Sequence, residues 1–92
     1  MPRPVKYEMI YVYVLRSVSD GKFYTGCTRD LRARLDLHNS GKVPSTIDRR
    51  PLELIYYEAC INEQDAFRRE KYLKTTYGKR YIRVRCQNYF TG

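Results

Sequence analysis

The sequence has no long apolar run. The longest, Met9 to Leu15, covers seven residues, against the ~20 that a membrane-crossing helix requires. The segment before it, Met1-Pro2-Arg3-Pro4-Val5-Lys6, is basic and lacks an apolar stretch of secretory length. The expectation is a soluble, cytoplasmic chain with no membrane partner. Cysteine is also scarce. Cys27, Cys60 and Cys86 are odd in number, and their spacings of 33 and 26 match neither a metal knuckle nor a disulfide framework. Reduced thiols are expected, and structural zinc is not. No internal repeat or low-complexity tract is present. A chain of 92 residues has room for one domain, since domains typically run ~100–150 residues. That excludes a two-domain enzyme with a separate cofactor-binding half, so no small-molecule cofactor is expected. The organisation expected is a flexible basic arm over 1–7, where Pro2 and Pro4 resist regular structure, and a single domain over 8–92.

Acid is the other shortage. Ten Asp and Glu face eighteen Lys and Arg, a net charge of +8. From Arg68 to Gly92 there are eight basic residues and one acid, Glu70, so +7 of the +8 lies there. A stripe of this kind attracts polyanions, because each neutralised phosphate releases a counterion. A solubilising surface would look the same by charge alone. Arg outnumbers Lys twelve to six, and guanidinium groups fork phosphate oxygens bidentately, which tilts the balance towards nucleic acid.

What is there reads as alternating elements. Met9 to Arg16 is rich in Ile, Val and Tyr and predicts a strand. Ser19-Asp20-Gly21 signals a turn, and Lys22 to Gly26 a second strand, giving an antiparallel hairpin. Thr28 or Asp30 can cap a helix carrying Leu31, Arg34, Leu35 and His38 at helical spacing, stopped by Ser40-Gly41. A loop over 42–51 leads to a third strand, Leu52 to Ala59, with Leu52, Leu54 and Tyr56 on one face and Ile55 and Tyr57 on the other. Asn62 caps a second helix whose inward stripe is Ala66, Glu70, Leu73 and Tyr77, ended by Gly78. Lys79 to Tyr89 predicts a third helix, with Ile82, Cys86 and Tyr89 on one side. The fold class is α+β: a small three-stranded antiparallel sheet flanked by helices, in the order β-β-α-β-α-α.

Four features carry chemistry. Tyr13 and Tyr24 sit in corresponding places on the hairpin strands, in Tyr11-Val12-Tyr13 and Tyr24-Thr25-Gly26. Arg34 and His38, spaced i, i+4, share a helix face with Leu31 and Leu35. An arginine beside a buried stripe needs an anionic partner. Glu70 is the sole acid among Arg68, Arg69 and Lys71. Each has a purely structural alternative: amphipathic core tyrosines, a snorkelling arginine, a histidine cation at a helix C-terminus and an ion pair between Glu70 and Lys74.

Taken together and in order, Tyr-Val-Tyr, a ten-residue gap, Tyr-Thr-Gly, an Arg and His on one helix and a Glu on a later helix resemble the GIY-YIG nuclease domain. The resemblance covers residues ~9–75. Tyr11-Val12-Tyr13-Val14-Leu15-Arg16-Ser17, Asp20-Gly21-Lys22, His38-Asn39-Ser40-Gly41-Lys42 and Arg68-Arg69-Glu70-Lys71 resemble its small stand-alone bacterial members. The resemblance implies a divalent-metal-dependent DNA endonuclease, structure-selective in repair or recombination. Its catalytic residues would be Tyr13, Tyr24, Arg34, His38 and Glu70, with Glu70 holding one Mg²⁺ or Mn²⁺. Tyr24 is the first choice for the general base and Tyr13 the second. His38 would orient the water or relay the proton. Lys22, Arg32, Arg68, Arg69, Lys74, Lys79, Arg80 and Arg83 are the candidate DNA-binding cations, and a protein partner would supply specificity. The alternative is a non-catalytic nucleic-acid-binding module with a basic C-terminal helix. Tyr11 and Val12 stand where the family has Gly and Ile, and Thr25 where it has Ile; none of these removes a catalytic group. Cys27 stands where some relatives carry a lysine.

Overall fold

Ile10, Val12 and Val14 alternate with Tyr11, Tyr13 and Leu15, and this period of two builds the central strand. In the computed structural model, which describes residues 8–92, β1 (Ile10–Ser17) lies between β2 (Phe23–Thr28) and β3 (Leu52–Cys60). It is antiparallel to both. The arm expected over 1–7 lies outside the described residues. Gly21, at φ +73°, closes the hairpin in a backbone conformation that disfavours any Cβ. The helices are α1 (Leu31–Asn39), α2 (Glu63–Leu73), α3 (Thr76–Arg85) and α4 (Gln87–Thr91). The side chains of Asp30, Asn62 and Thr75 cap the first three by accepting from Ala33, Asp65 and Gly78 N–H groups. The architecture is the α+β sheet-and-helix arrangement expected. No helix among the described residues is long and apolar enough to cross a membrane.

The two faces of β1 bury different clusters. Ile10, Val12 and Val14 pack with Ala66, Leu73 and Ile82 of α2 and α3. Tyr13 and Leu15 pack with Leu52 and Leu54 of β3 and with Leu31 and Leu35 of α1. Helix α1 therefore covers one face of the sheet, and α2 with α3 the other.

Three expectations are corrected. The expected alternation along β3 does not hold throughout, because the register shifts between Val14 and Leu15: Leu15 pairs with Leu54 but Val14 pairs with Tyr56. One extra residue in β3 reverses side-chain parity beyond it. Tyr56 therefore joins Ile55 against the α2 face, and Tyr57 pairs with Tyr13 on the other. Second, Gly78 does not end α2. The chain turns at Lys74–Thr75, and Gly78 lies in the first turn of α3, where an added Cβ would run into the Tyr72 carbonyl and the Leu73 Cα. Glycine is needed there for close crossing of two helices, not for termination. Tyr77 consequently belongs to α3 and is 71% exposed rather than inward. Third, the last helix is broken. Cys86 leaves helical geometry at φ −106°, ψ 29°, and α4 turns Phe90 back against Phe23, ring centroids 5.8 Å apart. Ile82 is buried and Cys86 half-buried, but Tyr89 is exposed and donates to Glu53.

Candidate active site

The hairpin register sets the first two groups. Tyr13 pairs with Gly26 and Leu15 with Tyr24, so both tyrosines face α1. The Tyr13 ring lies across Gly26: a Cβ there would sit 2.5 Å from the Tyr13 hydroxyl. Glycine at this position thus leaves the passage through which the phenol reaches the β2 edge. Arg34 and His38, one turn apart on α1, meet it from the other side. The Arg34 Nε donates to the Tyr13 hydroxyl at 3.4 Å. The Tyr13 hydroxyl lies 3.0 Å from His38 Nε2, and His38 Nδ1 lies 2.8 Å from the Thr46 hydroxyl. Tyr24 completes the cluster, its ring edge-on to His38 at 4.9 Å.

The ends of this chain assign its direction. Arg34 can only donate, and the Val43 carbonyl, to which the Thr46 hydroxyl donates at 3.5 Å, can only accept. The assignment that gives every hydroxyl hydrogen an acceptor has Tyr13 donating to His38 Nε2 and Nδ1–H donating to Thr46. His38 and Thr46 are wholly buried, and Asn39 ties the end of α1 to Leu52 N–H and C=O at 2.8 and 3.0 Å.

Burial pushes the His38 pKa below its ordinary value, and the Arg34 charge lowers it further. His38 is therefore neutral at pH 7, not a solvated cation at a helix end. Burial raises the Tyr13 phenol, the Arg34 hydrogen bond pulls it back, and Tyr24 and Glu70 are close enough to raise it. Arg34 is raised, chiefly by its hydrogen bond to Tyr13.

Glu70 comes from α2, across the sheet. Its side chain is 22% exposed and meets Lys74 Nζ at 3.1 Å. Beside it, the Cys27 thiol is pushed up to about 12 by burial first and by Glu70 second, so Cys27 is a neutral thiol. Among the described residues, no three His, Cys, Asp or Glu side chains gather into a metal cage.

The candidate cations separate. Lys22, Lys79 and Arg83 line one cavity, and Lys74 and Lys79 line another with Tyr24. Arg32 lies on α1 beside Leu31, Leu35 and Leu54, on the other face. Arg68 pairs with Asp65 at 3.3 Å, and Arg80 is exposed on α3. Arg69 is held internally: it grips Glu58 through Nε and Nη2 at 2.8–3.0 Å and lies over the rings of Tyr72 and Tyr81. Sequence reasoning missed Thr46 and Arg49, both in the 42–51 loop. Arg49 joins that loop to the hairpin through Asp20 and the Phe23 carbonyl, at 3.3 and 3.2 Å. Neither residue sits in a periodic segment that would have marked it.

A family model described as the GIY-YIG catalytic domain matches residues 9–83. The chain is 46% identical over 66 residues to a UPF0213 protein of Bacillus pumilus, covering 71% of this chain and just under two thirds, 66%, of that protein. It is 41% identical over 66 residues to a UPF0213 protein of Staphylococcus epidermidis, covering 71% and 79% of the two chains. To a UPF0213 protein of Streptococcus agalactiae it is 46% identical over 65 residues, covering 70% and 73%. No solved structure matches the chain.

Proposed function

The chain belongs to the GIY-YIG catalytic domain family, a nuclease family, and on that premise we propose that it is a divalent-metal-dependent endonuclease hydrolysing DNA phosphodiester bonds. The observation that carries the reading is the Arg34 guanidinium: it donates to the Tyr13 hydroxyl at 3.4 Å, and Tyr24, on the neighbouring strand of the hairpin, is close enough to interact with its charge. A packing role for either tyrosine requires no such cation. A tyrosine takes a proton from water only as the tyrosinate, a form that adjacent positive charge favours, and Arg34 places such charge among the tyrosines. Tyr24 is half-buried and lines a cavity with Lys74 and Lys79, whereas Tyr13 is 1% exposed. Tyr24 is therefore the general base that meets the nucleophilic water, and Arg34 binds the phosphate and stabilises transition-state charge. Tyr13 and His38 act through others: they hold the guanidinium and the Tyr24 ring in place.

Glu70 is the carboxylate that would hold Mg²⁺ or Mn²⁺. It is a hard oxygen donor already facing a cation, Lys74, and such ions complete their shell with waters and substrate phosphate. Held by Glu70, such an ion would supply Lewis-acid chemistry at the scissile phosphate and charge stabilisation for the leaving 3′-oxygen. Branched, nicked or single-stranded DNA of repair and recombination is the substrate class we assign, with a protein partner adding target choice.

A nucleic-acid-binding module without cleavage is the second reading, favoured by the Glu70–Lys74 pair, which an ordinary helix surface also makes. The test is cleavage of supercoiled, branched and single-stranded DNA with Mg²⁺, Mn²⁺ or EDTA, alongside Glu70→Ala purified identically. Metal-dependent cutting lost in Glu70→Ala, with DNA binding kept, is expected. Binding without cutting by the folded wild type would replace the first reading by the second.

A further inference from the structure

Among the described residues strand β2 has a free edge, since the sheet order is β2-β1-β3. Two cavities adjoin along it, of about 190 and about 220 Å³, and Phe23 and Lys79 line both. They form one groove that starts at Tyr24 and runs outward past Lys22 and Arg83. No carboxylate among the described residues lines it. The nearby acids are already taken, Asp20 by Arg49 at 3.3 Å and Glu70 by Lys74 at 3.1 Å. Lys22, Lys79 and Arg83 make no ion pair among the described residues. The Arg83 guanidinium lies over the rings of Phe23 and Phe90, at 4.9 and 5.3 Å from their centroids, so its position is set before any ligand arrives. The break at Cys86 is what delivers Phe90 to this contact. Converging cations without acids, in a groove with low-dielectric walls, focus a positive field that an anion relieves.

Resting on the reading of Tyr24, Arg34 and Glu70 as a phosphodiester-cleaving site, we propose that this groove is the track of a single nucleic-acid strand leading into that site. Its phosphates lie along Lys22, Lys79 and Arg83, and its bases lie against Phe23 and Tyr24. A duplex presents two phosphate rows flanking grooves of ~6 and ~12 Å. One row of cations beside aromatic rings is instead how single strands are held. The C-terminal helices thus act as the outer wall of the substrate channel, and the segment with the most positive charge is the segment that guides the strand.

The experiment compares binding of a labelled oligothymidylate and of a duplex of equal length in EDTA. The proteins are wild type, Lys22→Glu/Lys79→Glu, the milder Lys22→Gln/Lys79→Gln, and a charge-matched control, Lys71→Glu/Arg85→Glu. The groove charge reversal is expected to weaken single-strand binding at least about 10-fold and to shallow the slope of log K against log salt by ~1.4, two single-strand phosphate contacts. The Gln pair should shift in the same direction, and the control should change binding by less than about 3-fold. Equal weakening by the control would reduce the effect to net charge and overturn the track. Unchanged binding in the groove variants would do so too, as would tighter duplex binding that depends on the same lysines. Because no cleavage is read, this outcome is independent of the nuclease reading. Groove-dependent binding by a wild type that never cuts would keep the track and discard cleavage. Cutting by wild type with groove-independent binding would do the reverse.

Discussion

Tyr13 and His38, twenty-five residues apart, meet hydroxyl to Nε2 at 3.0 Å, and neither reaches solvent. A buried phenol and a buried imidazole satisfy each other only if one proton lies between them, and that demands one tautomer of His38. Thr46, at 2.8 Å from Nδ1, selects it by accepting the other N–H. The loop over 42–51 therefore controls a group on α1 that faces a tyrosine on β1, and through that tyrosine the orientation of Arg34.

The tautomer can be read directly, because the chain has a single histidine. Nitrogen-15 NMR at pH 7.5 should show His38 neutral with the proton on Nδ1. Thr46→Val leaves a buried N–H without a partner and should destabilise the protein by about 1–3 kcal/mol, with the tautomer signature shifted or mixed. Thr46→Ser should restore both. A proton on Nε2 in the wild type would reverse the assigned direction of the hydrogen-bond chain.

Stability should depend on pH through the same residue. The folded pKa of His38 is lowered by burial and then by Arg34, while the unfolded value is about 6.5. Between the two, the unfolded chain binds more protons, so stability is full above about 6.5 and falls as pH drops through and below it. Tyr13, its phenol raised by burial, and the hydroxyl of Thr46 also face the ring and add no charge over this range. Glu58 contributes only at more acidic pH; burial would raise it, but the Arg69 and Tyr56 hydrogen bonds hold it below the usual carboxylate value. Urea unfolding over a pH series checks this. His38→Gln should flatten the slope between about pH 7 and 5.5, a window above carboxylate titration. A wild type as flat as the variant would show that His38 carries no such linkage.

Gly26→Ala tests the crossing of Tyr13 over β2. The added methyl would sit 2.5 Å from the Tyr13 hydroxyl and 2.6 Å from Cζ, so the ring must swing away from His38 and Arg34. Overpacking of this kind costs about 1–3 kcal/mol, and cleavage should fall with it. A variant of wild-type stability, with the His38 nitrogen shifts unchanged, would mean that the ring has room the structure does not show.

Tyr24→Phe and Arg34→Ala should each lower cleavage at least about 10²-fold, the usual loss for an acid–base or charge-stabilising group. Tyr24→Phe should do so without loss of oligonucleotide binding, since the ring remains. Single-turnover cleavage at saturating enzyme separates the two effects. Wild-type rates in either variant would remove that residue from the chemistry.

Much of the frame is legible from local pattern. The strands around Tyr13 and Tyr24, the helix bearing Arg34 and His38, and the caps at Asp30 and Asn62 all follow from period, turn chemistry and side chains that accept from free N–H groups. Gly78 misleads because a glycine that ends a helix and one that lets two helices touch are the same letter. Tyr56 and Tyr57 mislead because a bulge reverses parity without any change in composition.

The sequence by itself determined the element order, the α+β class, the concentration of charge after Arg68 and the set of chemical groups at the candidate site. Tertiary structure alone decided their partners. It buried His38 against Thr46, engaged Arg69 with Glu58, and gathered Lys22, Lys79 and Arg83 along β2. The physical reason is range. Period and capping are read from neighbours within one or two turns. The depth of a loop threonine, the partner of an arginine and the edge on which cations converge depend on contacts between residues distant in the chain, which leave no mark on local order.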